Sequence, residues 1–282
     1  AAMAAAEAAE EAEQAAYVDM MGACYGFNKD QALLIQNAYN LSKSKKGSTH
    51  DFVANMAGLC SAYGGKFLFN TIDGIPSVKS SQGYFMKVGL SEQQVADLTD
   101  TVNNQYSGAF KDNAQEDKDF AHEMAVYAGY FNAGSPIRML ILTQPVMLLP
   151  AGDMNKINSY EGDIYSGSMG YDDMNADIDA LNVYNSFLKN EQKDFFGVLT
   201  DYNKGVLNKE INRAERFLEN FRGDTAEQQL KSLKKSLDSV NLGKGVLAMT
   251  SDPKEIKTTQ KDFLDYLEAV LNEGSINNEK KQ

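Results

Sequence analysis

Apolar positions recur at helical spacing along most of the chain. In residues 31–41, Leu34, Ile35, Ala38 and Leu41 follow at intervals of one, three and three, which places them on one face of a helix. Phe52, Met56, Leu59 and Tyr63 do the same in 51–63, with Asp51 as a first-turn carboxylate. Ser91 followed three residues later by Gln94 predicts a capping box that opens a helix through Val95 and Leu98. Residues 119–130 read as another helix, and 210–221 and 226–240 as amphipathic ones. Asp252 and Pro253 suit the N-cap and first position of a last helix, with Phe263, Leu264, Leu267 and Val270 as its apolar face. Residues 1–16, mostly Ala with Glu, also read as helical.

Two stretches break the pattern. Residues 64–83 are rich in Gly and Ser and contain Pro76, which predicts a long loop or a short hairpin. Residues 134–152 carry Pro136, Pro145 and Pro150; the apolar part, 139–149, is too short for a bilayer span and too Pro-rich for a regular helix. There is no internal repeat. The expected fold is mainly α: a two-lobed helical domain with room for a small β element near 64–90 or 135–168. The polar stretch 111–118 suggests a helical N-terminal lobe over 1–112 and a C-terminal lobe over 113–282.

Composition narrows the function. With 282 residues, 43% of them apolar and 23% charged, the chain can bury a core without disulfides or metals. The formal net charge of −12 argues against nucleic acid as a partner, because the basic runs at 43–46 and 231–235 are short. Anionic lipid headgroups are repelled for the same reason, so an anionic substrate calls for a bound cation. Cys24 and Cys60 form neither a zinc pattern nor a CxxC motif, and make either one disulfide or two buried thiols. No run is long enough for a membrane span, and no signal peptide is visible.

The sharpest chemical feature is the run from Asp172 to Asn182, with Asp172, Asp173, Asp177 and Asp179. At about 100° per residue, Asp172 and Asp179 share nearly one line of a helix, with Asp173 and Asp177 nearby and Met174, Ile178 and Leu181 opposite. Asp is a poor interior helix former, and like charges one turn apart repel. A solvated first turn explains Asp172 and Asp173 but not Asp177 and Asp179; a cation site explains all four. Carboxylate oxygens suit Ca²⁺, Mg²⁺ or Mn²⁺. An EF-hand does not fit, since Ile178 would take the position of the invariant Gly and Tyr184 that of the bidentate Glu. The spacing is similar in chemistry to the aspartate-rich helix of isoprenyl diphosphate synthases, where carboxylates hold Mg²⁺ against a diphosphate.

Two further segments could complete a site. Asp119, His122 and Glu123 stand at i, i+3 and i+4, one helical face from which a ligand and a general base can converge; the plain alternative is an ion-paired surface histidine. Residues 160–170 hold Gly162, Gly167 and Gly170 with Ser166 and Ser168. Such a loop suits close approach of backbone N–H groups to phosphate, with Asp163 near enough in sequence to join the cation; a flexible linker would look similar.

From Gly26-Phe27 through residues 119–123 to the Asp172–Asn182 run, the chain resembles the C-terminal toxin regions of LXG proteins, effectors of the Gram-positive type VII secretion system. The resemblance covers most of residues 26–225 and does not extend to the LXG secretion domain. It implies a secreted, calcium-dependent lipid II phosphatase that blocks peptidoglycan synthesis from outside the target cell and is met by a cognate immunity protein. On this reading Asp119, Asp163, Asp172, Asp173, Asp177 and Asp179 are metal ligands, and His122, Glu123 and Asp172 are catalytic. The substrate is lipid II or a related polyprenyl diphosphate at the membrane surface, which the segment 139–149 could meet. The rival readings are a non-catalytic calcium-stabilised interaction domain and a membrane-disrupting toxin.

Overall fold

The computed structural model describes residues 2–60, 62, 74–104, 120–133, 171–190, 194–238, 261, 264–265 and 267–272. Among these the structure is helical, with no strand, so the protein is mainly α. The expected β element near 64–90 gives way to helix from residue 78 onward, and the stretch 135–168 lies outside the described residues.

Helix α1 (Ala2–Tyr25) is exposed over its Ala-rich first half, then buries Tyr17, Met20, Met21, Cys24 and Tyr25. These positions follow the i, i+3, i+4, i+7 rule. Gly26, at φ 70°, ends the helix with its N–H on the Gly22 carbonyl. Asn28 then caps α2 (Lys29–Ser44) in a capping box with Gln31, so the helix starts just ahead of the apolar pattern that reveals it. Helix α3 (Thr49–Cys60) buries almost every side chain from Phe52 on.

Helix α4 (Val78–Val88) occupies the end of the segment expected to be a loop. Ser77 caps it by accepting from the Ser80 N–H. Its small residues serve close packing. Gly58 of α3 approaches so closely that a Cβ there would overlap Ser81 Oγ and stand 2.7 Å from the Pro76 carbonyl oxygen. Helix α5 (Glu92–Asn103) opens with the expected Ser91–Gln94 capping box and buries Val95, Leu98 and Val102.

The centre of the molecule is α6 (Phe120–Ala133), packed between α3 and α7 (Tyr171–Lys189). Both central helices are buried on all sides over long stretches, α6 from Phe120 to Tyr130 and α7 from Asn175 to Tyr184. Helix α8 (Phe195–Leu207), capped by Asp194, packs on α1 and α7. The next helix, α9 (Arg213–Leu218), is shorter than the amphipathic pattern at 210–221 suggests. Lys209 adopts φ 58°, the Glu210 and Ile211 amides return to the Gly205 carbonyl, and Asn212 caps the new start. Helix α10 (Ala226–Asp238) adds Leu230 and Leu233 to the core, and the helical residues 267–272 add Leu267. Asp252 and Pro253 lie outside the described residues.

One hydrophobic cluster runs from Tyr17 to Leu267 and takes side chains from both sides of residue 112. Its spine is aromatic. Phe196 meets Tyr17, Tyr39 and Phe52 edge-on at 5.2, 5.0 and 5.8 Å, and Phe195 meets Tyr127 at 5.0 Å. Such edge-to-face pairs add about 0.5–1.5 kcal/mol each beyond the area they bury. Cys24 and Cys60 are both buried.

Candidate functional site

Inside this apolar frame lies a set of polar side chains that a core would not choose for packing. Glu123 and Asp179 are fully buried, and His122 and Asp177 are 5% and 4% exposed. Burying a carboxylate is costly unless it is paired or hydrogen-bonded, so the partners of each define what the site can do.

The two candidate segments meet. His122 on α6 and Asp177 on α7 come together with Nε2 2.9 Å from Oδ1. They are 55 residues apart in the chain. The other oxygen, Oδ2 of Asp177, is buried and has no hydrogen-bond partner among the described residues. An acceptor left in that state costs about 1–3 kcal/mol, more if charged. It marks the spot where a cation or a water would be favoured.

Glu123, the next residue along α6, turns to a different set. It accepts from the Tyr25 hydroxyl at 2.7 Å on one oxygen and from the Tyr127 hydroxyl at 2.7 Å on the other. Burial, followed by the Glu123 charge, holds both tyrosines well above their ordinary pKa. Tyr25 and Tyr127 thus remain protonated donors at physiological pH.

Asp179 has its own cation. The Arg213 guanidinium approaches with Nε at 3.2 Å from Oδ1 and Nη2 at 3.3 Å from Oδ2. The Tyr202 hydroxyl donates to Oδ1 at 2.6 Å. Arg213 Nη1 donates to Asn175 Oδ1 at 2.7 Å, and Asn182 Nδ2 donates to the Tyr202 oxygen at 2.8 Å and to the Arg213 carbonyl at 3.0 Å. Burial, then the Asp179 charge, keeps the Tyr202 hydroxyl protonated as well.

The helix therefore does not present one compact acidic face with an apolar face opposite. Asp177 turns to α6 and Asp179 to α8 and α9, while Ile178, Ala180, Leu181 and Val183 fill the core between them. Asp172 and Asp173 lie on the first turn of α7, with side chains outside the described part; Asp119 and Asp163 lie outside the described residues altogether. Among the described residues no three His, Cys, Asp or Glu side chains gather closely enough to hold a metal ion.

Sequence reasoning missed Arg213, Tyr202 and Asn182 on the far side of α7, and Tyr25 and Tyr127 around Glu123. Local signal is absent for most of these. Tyr202, Arg213 and Tyr25 reach their partners over 23, 34 and 98 residues. Tyr127 is the exception, standing at i+4 from Glu123, a spacing that places the two on one helical face.

The fold and site together define a mainly α protein whose two central helices enclose a buried acidic, histidine and arginine network. Residues 154–278 match the model of a family described as YkzU uncharacterised protein. That stretch includes Asp163, the Asp172–Asp179 run and Arg213, and stops short of His122 and Glu123. Comparison with curated proteins and with solved structures found no match.

Proposed function

We propose that this chain is a secreted antibacterial toxin, a Ca²⁺-dependent phosphohydrolase that cleaves the polyprenyl-diphosphate linkage of lipid II at the outer face of the target-cell membrane. The reading joins the resemblance to LXG toxins, among them the lipid II phosphatase TelC, to one observation. The His122–Asp177 contact links the two segments that carry the acidic residues and leaves a buried carboxylate oxygen without a partner among the described residues.

The donor chemistry fits the cation. Asp177, with Asp172 and Asp173 a turn earlier on α7 and with Asp119 and Asp163 from neighbouring segments, would supply hard oxygen ligands. When bound, the cation neutralises charge on the diphosphate as a Lewis acid. Asp179 lies on the same helix with its charge already matched by Arg213. His122 would hold or pass a proton; its contact with Asp177 fixes the ring, as an outer partner does for a catalytic imidazole. Glu123, whose two oxygens receive tyrosine hydroxyls, would support the inner end of that face of α6. A cognate immunity protein is the expected partner.

A second reading has an observation of its own. His122 and Asp177 are almost inaccessible, and a cation bound there would tie α6 to α7 without any turnover, as in a calcium-stabilised interaction domain. A membrane-disrupting toxin has less behind it, since among the described residues no helix is long and apolar enough to cross a membrane.

Turnover separates the readings. Purified protein is incubated with lipid II in detergent or vesicles, with Ca²⁺ or with chelator, and the release of the phosphorylated disaccharide-peptide is followed. Hydrolysis that requires Ca²⁺ supports the enzyme. Calcium binding with no product supports the interaction domain.

A further inference from the structure

The Asp179–Arg213 pair takes no part in the proposed reaction, yet it is among the most deeply buried ionic contacts of the described residues, with side chains 0% and 9% exposed. Its geometry bears on which carboxylates of α7 are available to a cation.

Asn175, Asp179 and Asn182 stand at i, i+4 and i+7, one stripe of the helix. All three engage the same neighbours: Asn175 accepts from Arg213, Asp179 from Arg213 and Tyr202, and Asn182 donates to Tyr202 and to the Arg213 backbone. The stripe clamps α7 to α8 and α9. Asp177 is two residues from Asp179, about 200° around the helix, and faces His122 on α6. The two carboxylates therefore belong to opposite sides of one helix. For Asp179 to ligate a cation, Arg213 would have to release it, leaving a guanidinium unpaired in the interior at a large cost.

We infer that Asp179 is the anchor of α7 and not a cation ligand, and that Arg213, through its hold on Asn175 and Asp179, fastens α7 to α9 on the side away from Asp177. This inference rests on the proposed reading of α7 as the cation-bearing helix. It divides the acidic run by role: Asp177 and the first turn serve the cation, Asp179 serves the fold.

The test uses the full chain, thermal unfolding in chelator, and titration with Ca²⁺ alone. The variants are Asp177→Asn, Asp179→Asn, Arg213→Gln, Arg213→Lys and the double Asp179→Asn/Arg213→Gln, which removes both charges and keeps polar groups at both positions. Each neutralising single variant at 179 or 213 is expected to lower Tm by roughly 10 °C. The double variant should recover at least half of the summed loss, and Arg213→Lys should fall between wild type and Arg213→Gln. Calcium affinity of the double variant should stay within about threefold of wild type, whereas Asp177→Asn should lose about tenfold or more. A double variant that regains Tm but loses calcium affinity about as far as Asp177→Asn would make Asp179 a ligand and overturn the inference. Tm losses that simply add, or singles that unfold like wild type, would overturn the anchor. If wild type binds no Ca²⁺, the functional reading falls, and the Tm cycle still decides whether 179 and 213 act as a pair.

Discussion

The buried polar residues divide by what satisfies them. Glu123 has two tyrosine donors, Asp179 has a guanidinium and a tyrosine, and Asp177 has His122 on one oxygen, with no partner for the other among the described residues. Removing the Tyr202 hydroxyl takes a donor from Asp179 and an acceptor from Asn182. Tyr202→Phe should therefore cost about 1–3 kcal/mol in urea unfolding; a loss below a few tenths would show that water replaces the bond freely. At the proposed site, His122→Ala should cut lipid II turnover by about 10²–10⁴ while calcium titration stays close to wild type. Equal loss of both would make His122 part of the cation site instead. The acidic run was legible in sequence because it breaks helix rules at Asp177 and Asp179. Its splitting into two faces was not, because Arg213 and His122 reach it from 34 and 55 residues away.

At the scale of elements, the sequence showed periodic faces and one cap, and mis-set several boundaries for identifiable reasons. The Ser91–Gln94 box was readable because both partners are local. The helix at 78–88 was hidden because Ser80, Ser81 and Gly83 resemble loop composition. Ser81 is buried in fact, and Gly58 of α3 packs closely against it. Two glycines test this view with opposite signs. Gly58→Ala should destabilise by about 1–3 kcal/mol through overlap with α4. Gly83→Ala, where an added Cβ meets nothing within 4 Å, should stabilise by about 0.5–1 kcal/mol as a helix-interior glycine replaced by alanine. Chemical denaturation of both variants checks the pair, and a stabilising Gly58→Ala would contradict the close contact. The start of α3 carries a pH signature. Asp51 accepts from Ser48 Oγ and N at 2.7 and 2.9 Å, and these bonds hold its carboxyl below the ordinary value. A depressed carboxyl adds stability above its unfolded value, near 3.9, and loses it as pH falls through the folded value. The stability advantage of wild type over Asp51→Asn should thus be flat at neutral pH and shrink below about pH 4. An advantage that grows on acidification would refute the assignment.

For the whole molecule, the helical class followed from periodicity that recurs in nearly every described segment. The way α6 and α7 share the centre did not, since both are buried on all sides over long stretches and the acidic residues of α7 turn inward to different neighbours. The continuous core means that a change at the α6–α7 junction is felt across residue 112. Calcium at about 100 times its dissociation constant should therefore stabilise the fold by roughly 2.7 kcal/mol. The most direct test of the central claim combines both properties in one assay: lipid II hydrolysis by wild type and by Asp177→Asn, each with Ca²⁺ and with chelator. The account predicts product only from wild type with Ca²⁺, with Asp177→Asn folded but inactive at the same calcium level. Undiminished hydrolysis by Asp177→Asn, or by wild type in chelator, would contradict it.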